Sequence, residues 1–215
     1  MNAPSPRAAN RANDIYLMTL VLASQSHSRR ALLLAAGVPH QALSPDVDEE
    51  TEKLRLRAQG ADAPALAIGL ARYKADELSC QRPQDLILGC DQTLSLSDGS
   101  MIDKAIDPQD AARILRRLSG DTHYLHSAAA VLQAGEVKWS AIETVELKVR
   151  PLSDAFIASY IAQEWEHIRW CVGCYRIEGP GVQLFAAING TQFAIQGLPL
   201  IGLLDFLRQQ GVLMA

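Results

Sequence analysis

The chain has 215 residues, 48% of them apolar, with 20 Lys+Arg against 24 Asp+Glu. That length suits one domain and a core that needs no disulfide or metal to hold it, and the apolar share excludes disorder over the whole chain. A net charge of −4 argues against a protein that binds nucleic acid by overall electrostatics, though it leaves room for a basic pocket around one small anion.

Residues 1–14 are rich in Ala, Pro and Asn and read as a flexible tail, with a single domain over 15–215. Arg7 and Arg11 have no apolar stretch beside them, so the tail is not a secretory signal. No run approaches the ~18 apolar residues of a membrane span. A cytoplasmic protein without membrane contact is expected.

Tyr16 to Ala23 reads as a first strand running into the loop Ser24-Gln25-Ser26-His27-Ser28. A helix follows over Arg29 to Ala36, with Leu32 and Leu33 inward and Gly37 closing it. Val38 to Leu43 is a second strand, and Asp46 to Glu50 an acidic segment. Pro64 opens a helix to about Ser79, with Leu66, Leu70 and Tyr73 at helical spacing. Leu86-Ile87-Leu88 suits a buried central strand that ends at Gly89-Cys90-Asp91.

Asp98-Gly99 signals a hairpin turn. Asp107-Pro108 caps a helix with Ala111, Ile114, Leu115 and Leu118 inward, ending at Gly120. Thr122 to Leu132 and Val137 to Val149 are two long strands joined near Ala134-Gly135. Ser153 caps a helix carrying Phe156, Ile157 and Tyr160. Val182 to Ile188 reads as a strand, Asn189-Gly190 as a turn and Leu200 to Gln210 as a closing helix. The alternation makes the fold α/β, and the long hairpin makes its sheet mixed, with flanking helices.

Of the four cysteines, Cys171 and Cys174 are spaced C-x-x-C, but Cys80 and Cys90 do not form a second close pair. A structural zinc site would show one, and a redox pair would open a helix. All four read as buried, reduced thiols. His123 and His126 have no carboxylate near them in sequence and read as structural or surface groups.

Chemistry-bearing residues gather at expected strand ends and helix starts, where α/β proteins place ligands. The serine loop leads into Arg29-Arg30, and a helix start offers free N–H groups and a positive dipole end. Such a loop is either a phosphate cradle or a plain helix cap. Asp91 follows an apolar strand, so its carboxylate faces the cleft or needs a buried partner. Lys74 and Lys104 are isolated cations suited to a polyphosphate. With Glu49, these groups point to metal-assisted attack on a phosphate anhydride.

The pattern resembles the Maf (septum-formation-inhibitor-like) nucleotide pyrophosphatases. Leu22 to Leu33 looks like the family's L-A-S-x-S-P-x-R opening. Pro45 to Glu49 is similar to P-x-V-D-E, Leu70 to Ala75 to L-A-x-x-K-A, and Gly89 to Gln92 to G-x-D-Q/T. Leu118 to His123 resembles L-S-G-x-T-H, and Gly197 to Leu200 resembles G-L-P-L. The matches run in family order from about Leu22 to about Gly211.

The resemblance implies two lobes around a cleft, often in a homodimer. It implies hydrolysis of a nucleoside triphosphate to monophosphate and pyrophosphate with Mg²⁺ or Mn²⁺. By position, Asp91 would be the general base, Glu49 and Asp91 would hold metal, and Ser24, Arg29, Lys74 and Lys104 would hold the triphosphate. The specificity positions fall on Ser28, Gln92 and Glu178. Gln92, Glu178 and Cys171 resemble the 7-methyl-GTP branch, whereas the dTTP/UTP branch has Thr, Gln and Lys at those positions. A carboxylate at 178 suits guanine, because it can accept from N1–H and N2–H.

Several positions depart from the pattern: Ser28 for an aromatic residue, His27 for the loop proline, Ala105 for a proline after the lysine, and Tyr73 for a glutamate. Arg176 also lies near the expected base-reading strand. The leading expectation is a pyrophosphatase that removes modified nucleotides, most of all 7-methyl-GTP. The alternatives are a dTTP/UTP pyrophosphatase and a non-catalytic nucleotide-binding regulator of cell division.

Overall fold

The computed structural model describes residues 19–214, so the expected tail and the first residues of the expected opening strand lie outside the described residues. β1 (Leu20–Ala23) is fully buried and is followed by α1 (His27–Ala35). β2 (Gln41–Leu43) is shorter than its apolar run because Pro39, which has no N–H to give a ladder, precedes it. Two helices come next, α2 (Glu49–Ala58) and α3 (Ala63–Gln81). Then follow β3 (Leu86–Leu96), β4 (Met101–Ile102) and α4 (Pro108–Leu118). The long hairpin of β5 (Thr122–Gln133) and β6 (Glu136–Val149) leads to α5 (Asp154–Ile168). The chain ends through β7 (Phe185–Asn189), the short α6 (Gln192–Ile195) and α7 (Leu200–Gln209).

The sheet is mixed, as expected, with seven strands in the order β2-β1-β3-β5-β6-β7 and β4 paired to β3. β1 runs parallel to β2 and β3. The pairs β3–β5, β5–β6 and β6–β7 are antiparallel. No helix among the described residues is long and apolar enough to cross a membrane.

β3 joins two regions. Its first half, Leu86 to Gly89, pairs with β1, while β5 pairs with it from Ile87 to Leu96. The strand therefore continues past Asp91, where the sequence pattern placed its end. The extension comes from the β5 ladder, which satisfies backbone groups that a local reading leaves open. Inside the extension, Thr93 donates to the Ala63 carbonyl (2.8 Å) and Ser95 pairs with His126 Nε2 (2.8 Å). On the other side, β3 leaves β1 at Gly89 and meets β4 only at Leu94. Asp91 lies in that gap.

α3 covers one face of the sheet. Asp62 caps it, accepting from the Ala65 N–H, and Pro64 sits in its first turn. Its buried stripe of Leu66, Leu70, Ala71, Ala75 and Leu78 also contains Lys74, one turn after Leu70. α3 approaches β3 so closely at Gly89 that a Cβ there would lie 1.9 Å from the Ala71 carbonyl oxygen. α1 and α7 cover β1 and β3 from a second cluster that includes Leu33, Leu203 and Phe206. α4 and α5 pack with the far ends of β3, β5 and β6, and α4 presents the expected Ala111, Ile114, Leu115 and Leu118 inward.

The expected strand over Val182 to Ile188 begins later. Pro180 to Leu184 forms a 3-10 turn, and only Phe185 onward pairs with β6. Pro180 lacks an N–H, and Gly181 packs where a Cβ would meet the Arg176 carbonyl at 2.6 Å. The chain is thus held in a tight coil before it can extend. His123 and His126 are buried and structural. His123 Nε2 meets the Tyr175 hydroxyl at 2.7 Å, and burial pushes its pKa down to about 4. The four cysteines are free thiols, but only Cys90 and Cys174 are buried; Cys171 is half-buried, and Cys80 is exposed in the last turn of α3.

Candidate active site

The serine loop is built first as a helix cap. Ser26 caps α1, its hydroxyl accepting from the Arg29 N–H (3.4 Å), so the helix starts at His27, two residues before the expected Arg29. Ser24 Oγ accepts from the Ser26 N–H (3.2 Å) and from Arg29 Nη1 (3.3 Å). Arg29 also donates from Nε to the Gly197 carbonyl (2.9 Å) and from Nη1 to the Cys90 carbonyl (3.0 Å). Cys90 sits just past the last β1 partner, so the guanidinium serves a carbonyl in the gap of β3. Arg29 thereby ties the serine loop, the gap and the 197–199 turn together, with donors to spare for an anion.

Across the gap lies a charge triad, buried at Lys74 and Asp91 and half-buried at Glu49. Lys74 Nζ is 2.5 Å from Asp91 Oδ1 and 2.9 Å from Glu49 Oε2. Lys74 is 9% exposed and Asp91 7%. A lysine on the sheet-facing stripe of a helix needs such counter-ions, and two carboxylates this close need the cation between them. Burial pushes the Glu49 carboxyl up, but Lys74, Lys104 and Arg29 outweigh it and hold the group below the usual carboxylate range. The resemblance had named these four groups separately, and they act on one another here.

Glu49 opens α2, a helix that the sequence pattern left as an acidic segment. A signal for it existed. Asp48 caps it through the Thr51 N–H (3.0 Å), acidic residues fill its first turn, and Arg55 and Arg57 sit in its last. Lys104 follows β4 and is exposed, its backbone bridged to Val172. An open cleft of roughly 350 Å³ lies between these elements, lined by Glu49, Asp91, Gln92, Lys104 and Val172 among others. Its wall also contains Lys53, Arg57 and Asp103, which sequence reasoning missed. Their only sequence signal is the four-residue spacing of Lys53 and Arg57 on a helix that was not recognised.

Ser28 and Glu178, 150 residues apart, meet directly. Ser28 Oγ donates to Glu178 Oε1 at 2.9 Å. Neither lines the cleft described above, whereas Gln92 does. Gln92 donates its amide to Ser127 Oγ (2.8 Å) and to the carbonyls of Ala194 (2.9 Å) and Ile195 (3.1 Å). Its donors are therefore occupied, and its carbonyl oxygen is the group left for a ligand. Arg176 is not on a strand. It forms an ion pair with the buried Glu164 at 2.8 Å, which holds the turn carrying Glu178.

A divalent cation fits the donor set. Asp91 Oδ1 and Glu49 Oε2 are taken by Lys74 Nζ, and the second oxygen of each carboxylate is the hard donor left for a cation. Two carboxylates completed by phosphate oxygens and water suit Mg²⁺ or Mn²⁺. A closed all-protein site is not offered, since no cluster of three or more His, Cys, Asp or Glu ligands occurs among the described residues.

Residues 19–210 match the family described as Maf-like protein. The chain belongs to the Maf family. Among its Maf relatives, the nucleoside triphosphate pyrophosphatase of Sphingopyxis alaskensis is 47% identical over 195 residues, 91% of this chain and 98% of that one. The protein of the same name from Caulobacter vibrioides is 47% identical over 197 residues, 92% and 98% of the two chains. The 7-methyl-GTP pyrophosphatase of Rhizobium johnstonii is 43% identical over 194 residues, 90% and 97%. The likeness therefore spans the sheet and the cleft, not one motif.

Proposed function

We infer that this Maf chain is a nucleoside triphosphate pyrophosphatase, and we propose that it takes a guanine-type base, 7-methyl-GTP above all. The observation that carries the reaction is the Lys74–Asp91–Glu49 triad in the gap of β3, facing a cleft rimmed by Lys104. Lys74 holds one oxygen of Asp91, and the other is left to accept from a water. Asp91 takes the proton of that water as its oxygen attacks the α-phosphorus. The bond from that phosphorus to the bridging oxygen breaks, and pyrophosphate leaves with the electron pair. Arg29, Lys104 and Ser24 hold phosphate oxygens, where cations and hydroxyls offset charge that grows in the transition state. A Mg²⁺ or Mn²⁺ held by Asp91 and Glu49 would neutralise further phosphoryl charge.

For the base, Ser28 fixes one oxygen of Glu178, and the second can accept from guanine N1–H and N2–H. Selection then rests on hydrogen bonding rather than on stacking by an aromatic residue at 28. Glu178→Gln puts a donor against the guanine donors. The ratio of kcat/KM for 7-methyl-GTP over UTP is expected to fall by about tenfold or more. Pyrophosphate release measured across ordinary and modified triphosphates checks this. An unchanged profile contradicts the base assignment. Binding without release from any nucleotide contradicts the enzyme assignment and favours a nucleotide-binding regulator.

A further inference from the structure

Lys53 and Arg57 stand four residues apart on α2, so both leave the same face of the helix. That face walls the cleft holding Asp91 and Lys104. The Lys53 side chain is only 17% exposed, with its ammonium 2.6 Å from Asp103 Oδ1. Arg57 donates from Nη2 to both oxygens of Asp103, at 3.2 and 3.3 Å. Its Nε is buried and has no hydrogen-bond partner. A covered lysine and a buried guanidinium N–H without an acceptor both cost free energy unless something else uses them.

Of the cations already assigned to the triphosphate, Lys74 is neutralised within the protein, while Arg29 is bound only to neutral oxygens and keeps its charge. Arg29 is bound to Gly197, Ser24 and Cys90, and Lys74 to Asp91 and Glu49. A triphosphate carries more negative charge than Arg29 and Lys104 together offset, and an arginine fork matches phosphate oxygens in geometry. We propose that Lys53 and Arg57, beside Lys104, form the seat for the two distal phosphates of the nucleotide, the part that leaves as pyrophosphate. Asp103 holds the two cations in position until that anion arrives. The seat's place in the reaction rests on the triphosphate reading. Its ligand, inorganic pyrophosphate, can be tested without turnover.

The test is calorimetric titration of pyrophosphate and of GMP, each with Mg²⁺, into the full chain and its variants. Lys53 and Arg57 are half-buried and belong to none of the apolar core clusters, so Lys53→Met with Arg57→Met leaves the core untouched. The double variant is expected to bind pyrophosphate weaker by about tenfold or more, and GMP within about twofold of the parent. Asp103→Asn removes a competing anion and is expected to tighten pyrophosphate several-fold. The proposal is overturned if the parent does not bind pyrophosphate, if the double variant binds it unchanged, or if pyrophosphate and GMP weaken alike. Pyrophosphate binding that depends on Lys53 and Arg57, in a chain that hydrolyses no triphosphate, would keep the seat and remove the hydrolytic reading.

Discussion

Asp91→Asn is expected to lower kcat by about 10²- to 10⁴-fold, the range for loss of a positioned general base. The substitution is close to isosteric. Its Oδ1 can still accept from Lys74, which now lies 2.5 Å away, and Glu49 still pairs with that lysine at 2.9 Å. The geometry of the gap is therefore kept, while the group that takes a proton from water is lost. Because one ion pair and one hydrogen bond survive, the stability cost should fall below the roughly 3–5 kcal/mol of a broken buried pair. Binding of an α,β-methylene triphosphate should persist. Turnover within tenfold of the parent would remove Asp91 from the mechanism.

Gly89→Ala is expected to cost about 3 kcal/mol or more, at the upper end for overpacking a tight interior. The added carbon would lie 1.9 Å from the Ala71 carbonyl oxygen and 3.0 Å from the Ala75 Cβ. The obstacle is helix backbone, which cannot turn aside as a flexible side chain can. Relief requires α3 to move off the sheet, and α3 carries Lys74 away from Asp91 as it goes. Activity should therefore fall along with the urea midpoint. Gly37→Ala is the control. It stands at φ +68° with nothing within 4 Å of a Cβ, so its cost is backbone strain alone, about 1 kcal/mol. Equal midpoints for the two variants would contradict the close approach of α3 to β3.

Elements set by local chemistry were legible in the sequence. Asp107-Pro108 fixes the start of α4, and Asp98-Gly99 turns the chain between β3 and β4, because each signal acts within a few residues. The length of β3 was not legible. Its second half exists because β5 pairs with it from about thirty residues downstream, and no local pattern carries that. The 3-10 turn over Pro180 to Leu184 was missed for a similar reason. Val182 and Leu184 look like strand residues until Gly181 is seen packed on Arg176.

Individual site residues could be named from motifs, but their couplings could not. Arg29 reaches the Cys90 and Gly197 carbonyls, 61 and 168 residues away, and Ser28 finds Glu178 across 150. Those contacts decide how many donors remain for a ligand, so the sequence alone overstates the free donors at the site. Lys53 and Arg57 show the converse. They look like ordinary helix-surface cations until the fold turns them into the cleft wall.

The proposed reaction turns on attack of water, activated at Asp91, on the α-phosphorus. Hydrolysis of 7-methyl-GTP in ¹⁸O-labelled water, with mass analysis of both products, tests it most directly. One solvent oxygen is expected in the nucleoside monophosphate and none in the pyrophosphate. Label in the pyrophosphate, or release of orthophosphate instead, would place the attack at another phosphorus and contradict it.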